Sequence, residues 1–91
     1  MLDKIKLALR IKTNAFDEEI NDLINAALAD LAAAGITSQD KEDPLIIRAV
    51  VTFCRANFGS PADYDKMKTS YDEQKAMMQM ATGYTEWGDK I

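Results

Sequence analysis

The stretch Asp43-Pro44-Leu45-Ile46-Ile47-Arg48-Ala49-Val50-Val51-Thr52-Phe53-Cys54-Arg55-Ala56-Asn57-Phe58-Gly59-Ser60-Pro61 decides the fold. It spells out both ends of one helix. The Asp43 carboxylate is suited to accept a hydrogen bond from a free N–H of the first turn, and Pro44 suits the first helical position because it has no N–H to lose. Gly59 is free to adopt the left-handed conformation that closes a helix, and Ser60-Pro61 repeats the cap-plus-proline device for the next one. Between these markers the residues are apolar almost all round. The exceptions Arg48, Thr52 and Arg55 fall within an arc of about 60° at 100° per residue. That arc predicts a solvent-facing Arg48, with Ile47 and Val51 assigned to the hydrophobic centre. Such a helix is not stable alone in water, so the remaining chain must wrap it.

Upstream, residues 2–10 read as a short helix with Leu2, Ile5 and Leu9 on one face. It is too short to persist without tertiary contacts. Residues 15–34 read as the second helix, with Asn14 as its N-cap and Asp17, Glu18 and Glu19 beside the positive end of its dipole. Phe16, Ile20, Leu23, Ile24, Ala27 and Leu31 form the predicted core stripe. Opposite them Ala26, Ala29, Ala32 and Ala33 form a smooth face. Two readings stay open for it: a solvated face of strong helix formers, or a surface for close approach by a neighbouring subunit. Gly35 should end the helix, with Ile36 turning back onto the core.

Downstream, the fourth helix is expected from Ser60-Pro61 to about residue 81. Tyr64, Met67, Tyr71 and Met78 recur near one face, while Met77 and Met80 point elsewhere. Methionine serves as adaptable core filler or as a binding surface. The final segment, Thr82-Gly83-Tyr84-Thr85-Glu86-Trp87-Gly88-Asp89-Lys90-Ile91, has no periodicity. Its Tyr84 and Trp87 are of the types that anchor interfaces. It either folds back on its own bundle or docks onto another chain. The chain is therefore expected to be all-α, a small bundle of about four helices over residues 1–81 with an extended C-terminal arm over 82–91. The candidate interface residues are Ala26, Ala29, Ala33, Met77, Met80, Tyr84 and Trp87.

Composition narrows the function. The 91 residues suffice for one small core. A net charge of −4 argues against a self-sufficient nucleic-acid binder, which normally carries a basic face. There is no histidine and a single cysteine, Cys54, within an apolar helix, where it reads as a small buried hydrophobe. No zinc site, imidazole catalysis or intrachain disulfide is expected. No apolar run approaches the roughly 20 residues of a membrane span, and no signal peptide opens the chain. The carboxylates sit at helix starts or in loops, where dipole and solvation account for them. The glycines are isolated at helix ends, so no phosphate loop occurs. Neither an enzyme nor a cofactor is expected, and a soluble protein of a reducing cytoplasm is.

The order of elements resembles a known family. A short helix ends in Leu9-Arg10-Ile11, and an acidic helix follows with Asp17-Glu18-Glu19-Ile20-Asn21-Asp22-Leu23-Ile24 and a Gly35-Ile36 exit. The Asp43-Pro44-Leu45-Ile46 helix closes on Asn57-Phe58-Gly59, and Ser70-Tyr71-Asp72 and Gly83-Tyr84-Thr85 come after it. The whole resembles the small head–tail connector (adaptor, or head-completion) proteins of long-tailed phages and prophages. That resemblance implies a helical bundle with a C-terminal arm and no catalytic residues. It implies a homo-oligomeric ring of about twelve subunits closed by symmetry, seated beneath the portal protein in the virion. The ring would carry a stopper or tail-completion protein on its other side. DNA would pass through the channel without sequence-specific binding, and assembly would take place in the host cytoplasm. The acidic balance suits such a channel, because every Lys or Arg contact to phosphate tightens binding. Two other classes are open: a small regulatory or adaptor protein that binds a partner through its Tyr/Met/Trp end, and a DNA-binding accessory factor.

Overall fold

A computed structural model describes residues 1–36, 43–58 and 62–80. Four helices follow in order: α1 Leu2–Leu9, α2 Asp17–Ala33, α3 Pro44–Asn57 and α4 Tyr64–Met80. The protein is all-α. Helix α3 packs against each of the other three, and α1 also packs on α2. This is the arrangement that an apolar helix flanked by amphipathic ones must reach.

The ends of the helices follow local chemistry. Asp43 accepts a hydrogen bond from the Leu45 N–H at 2.8 Å and caps α3 with Pro44 behind it. Replacing Asp43 by Ala should lower stability by about 0.5–2 kcal/mol; a thermal unfolding scan unchanged from the parent would contradict this cap. At the end of α2, Gly35 has φ +90°. The Gly35 N–H donates to Ala32 O and the Ile36 N–H to Leu31 O, both at 3.0 Å. That pairing satisfies the last carbonyls and turns the chain. Ile36 then lies fully buried in the core, as the Gly35-Ile36 exit predicts. Helix α1 ends in the same left-handed way at Arg10, φ 60°.

The start of α2 differs from expectation. Asn14 is not its cap. The Thr13 hydroxyl accepts from the Ala15 N–H at 3.2 Å, which holds the chain in a turn. The Asn14 side-chain oxygen Oδ1 instead accepts from the Lys6 ammonium at 3.0 Å, and Lys6 also pairs with Asp17 at 2.7 Å. The helix therefore opens two residues later than expected, at Asp17. Phe16 is displaced from the predicted stripe and is 43% exposed. Its ring meets Phe58 edge-on, with centroids 5.4 Å apart, which sets the start of α2 beside the end of α3. Leu28, absent from the predicted stripe, is buried.

Helix α4 begins at Tyr64, later than the predicted Ser60-Pro61 start. The expected roles of Gly59, Ser60 and Pro61 lie outside the described residues. The core consists chiefly of Ile5, Ile20, Leu31, Ile36, Ile46, Val50, Cys54 and Met78, all essentially inaccessible to water. Ile47 and Val51 are only half-buried, so the centre of α3 is Ile46 and Val50 instead. The polar arc lies where expected, with Arg48 and Arg55 exposed. Arg55 spans to α1, donating to Ala8 O at 3.1 Å. Burial pushes the Cys54 thiol up to about 12, so it stays an inert apolar filler.

Candidate functional site

The surface of α2 carries the three alanines singled out above. Ala26, Ala29 and Ala33 are all exposed. Ala26 and Ala33 stand four residues before and three after Asp30, so all three share one side of the helix. Asp30 in turn fixes that side against α4. Its Oδ2 accepts from the Tyr71 hydroxyl at 2.6 Å and from the Lys75 ammonium at 3.1 Å. The Tyr71 hydrogen bond is the main reason the Asp30 carboxyl is held below its usual range, and burial opposes it. Burial chiefly, then the bond to Asp30, raises the Tyr71 phenol. Lys75 also lies 5.1 Å from the centroid of the Tyr71 ring, within cation–π range. The smooth alanine surface thus borders a seam of ionic and aromatic contacts.

One side-chain hydrogen bond ties the ends of α2 and α4. Gln79 donates to Ala34 O at 2.7 Å, which brings Ala33 and Met80 to the same end of the bundle. Met77 is 50% and Met80 87% exposed, and the three-residue spacing puts them on one face. Two flexible thioethers in water make a surface that moulds to a partner. Tyr84 and Trp87 lie outside the described residues. Leu7 of α1, 80% exposed, was not anticipated as a surface residue. Its signal was present, since it lies off the Leu2–Ile5–Leu9 face.

Between α2, α3 and α4 lies a pocket of about 170 Å³ that sequence reasoning missed. Phe53, Tyr64 and Tyr71 supply aromatic walls, and Asp30, Asn57, Lys68, Asp72 and Lys75 supply polar groups. Phe53 and Tyr71 pack edge-to-face at 5.3 Å. Lys68 pairs with Asp72 at 3.1 Å, the interaction that chiefly raises the Lys68 ammonium. The members of this pocket are 41 and 45 residues apart where α2 meets α4, so no local pattern announces them.

Among the described residues no group of three His, Cys, Asp or Glu side chains is placed to hold a metal ion, and no helix is long and apolar enough to cross a membrane. What the geometry offers is surface: a smooth alanine face, an exposed methionine pair and an aromatic pocket. No curated protein and no solved structure matches the chain. The family described as phage connector protein matches residues 1–85, which takes in Tyr84 and stops short of Trp87. A match that runs through all four helices settles the kinship, and the chain belongs to the phage connector protein family.

Proposed function

We propose that this chain is a head–tail connector subunit that assembles into a homo-oligomeric ring beneath the portal protein. The ring extends the DNA channel and presents its far side to a stopper or tail-completion protein. The observation that carries the reading is the exposed pair Met77 and Met80 on α4, on a bundle whose core is already closed. Such a surface gains by being covered. Residues 1–81 are the bundle and 82–91 the arm, whose Tyr84 and Trp87 dock on the portal or on a neighbouring subunit. The alanine row Ala26, Ala29 and Ala33 admits close approach of the adjoining subunit. The reading places the protein at the head–tail junction of the virion, after assembly in the host cytoplasm, and assigns it no catalytic role. Its net charge of −4 fits a wall that lets DNA slide past.

Mass measurement by light scattering, alone and with a phage portal protein, tests the proposal. A ring on the portal, visible by electron microscopy, is the expected result. A chain that stays monomeric in both settings would overturn it. Stable capture of a different, non-virion partner through α4 would instead favour a small regulatory adaptor.

A further inference from the structure

We propose that the pocket between α2, α3 and α4 is the docking site of the chain's own Trp87 in the free subunit, so that the arm stays latched until assembly draws it out. The latch belongs to the single subunit; only its release rests on the ring reading above. The volume of about 170 Å³ suits one aromatic side chain, since a cavity on the order of 150 Å³ encloses a benzene ring. Phe53, Tyr64 and Tyr71 line it, and rings make edge-on and offset contacts with a further ring. The indole N–H is a donor only, and the Asp72 carboxylate in the lining is an acceptor. Tyr64 stands 39% exposed, so a ring laid against it removes apolar surface from water.

Reach and tethering select the chain's own arm. The pocket takes Tyr64, Lys68, Tyr71, Asp72 and Lys75 from α4, a set centred near Tyr71. Tyr71 lies nine residues before Met80, about 14 Å back along the helix at 1.5 Å per residue. Trp87 lies seven residues beyond Met80, a span of about 23 Å for extended chain at 3.3 Å per residue. The surplus lets the chain reverse direction, and Gly83 suits the turn. Tyr84, with about 13 Å of chain, has no surplus for the reversal, so Trp87 is the guest. The short tether 81–86 holds the indole at an effective concentration on the order of millimolar. A neighbour's arm competes only when subunits are equally concentrated. Closing the latch orders this tether, which offsets much of the gain from burying the indole. A portal or subunit surface can therefore open it. While closed, it weakens the apparent affinity of the arm for such a partner, because only the open fraction binds.

The test reads the only tryptophan, in the isolated full-length chain. Its emission should lie to the blue of that from a synthetic peptide of residues 82–91, and stay there on dilution. NOEs from the indole should reach the Phe53, Tyr64 and Tyr71 rings. Tyr64→Ala, at an exposed position, should weaken the latch about tenfold and move the emission toward that of the peptide. The same variant should bind a phage portal protein more tightly than the parent, because more of its arm is open. Parent emission equal to that of the peptide would overturn the proposal. So would a blue emission lost on dilution, since a neighbour's arm would then be the guest, and so would indole NOEs confined to Met77 and Met80. Portal binding weakened by Tyr64→Ala would also overturn it, because the pocket would then be a portal contact. A latched indole in a chain that never forms a ring would remove the ring reading and leave the latch standing. A ring built from chains whose free indole is solvated would do the reverse.

Discussion

Ile46→Ala is expected to lower the free energy of unfolding by about 2–5 kcal/mol, from the lost transfer energy of the side chain plus the cavity it leaves. Ile46 is fully buried and sits in the one core cluster with Ile5, Ile20, Leu31 and Val50. A chain of this size has a total stability of roughly 5–14 kcal/mol at about 0.05–0.15 kcal/mol per residue. The substitution therefore removes a large fraction of it. Ile47→Ala, at a half-buried position, should cost about 1–2 kcal/mol because the site is already partly open to water. Arg48→Ala should fall within about 0.5 kcal/mol of the parent, as surface changes usually do. Urea denaturation followed by circular dichroism ranks the three. If Arg48→Ala proved the most damaging, the polar arc would be a buried contact and the placement of α3 would be wrong.

That ranking shows how much the sequence held. With apolar residues all round α3, hydrophobicity does not choose between Ile46 and Ile47. The polar arc does. Arg48, Thr52 and Arg55 centre about 150–170° from Ile46 and Val50, but only about 70–110° from Ile47 and Val51. The inward row was therefore readable from the arc, and the assignment of Ile47 and Val51 to the centre did not follow it through. Helix ends set by one residue and its neighbours were legible: Asp43-Pro44 starts α3 and Gly35-Ile36 ends α2 as expected. The start of α2 was not, because Thr13 and Asn14 both suit a cap and the choice turns on Lys6, eight residues away from Asn14. The pocket was least legible of all. Asp30 reads as one more helical carboxylate until Tyr71 and Lys75 arrive from a different helix. The alanines and the methionine pair were legible as exposed surface, since both depend only on helical spacing. What covers them depends on a second molecule.

Deleting residues 82–91 is expected to leave the subunit folded and to abolish its assembly with the portal and with its own copies. The first half follows from the core. Every fully buried side chain of the described residues lies between Ile5 and Met78, and the α2–α4 seam is completed by Gln79. The thermal midpoint should therefore move little. The second half follows from composition. Tyr84 and Trp87 are large apolar groups flanked by Gly83 and Gly88, in a segment too short to build a core. Each gains on the order of 1.5–3 kcal/mol from burial. Against a binding free energy in which tenfold is about 1.4 kcal/mol, losing both anchors weakens each contact by about a hundredfold or more. A ring repeats that contact around its circumference, so the loss multiplies. The full-length and truncated chains, compared by light scattering with portal present and by thermal unfolding without it, separate the two halves. A truncated chain that still assembles would remove the arm from the interface. One that unfolds would place Trp87 within its own subunit's core.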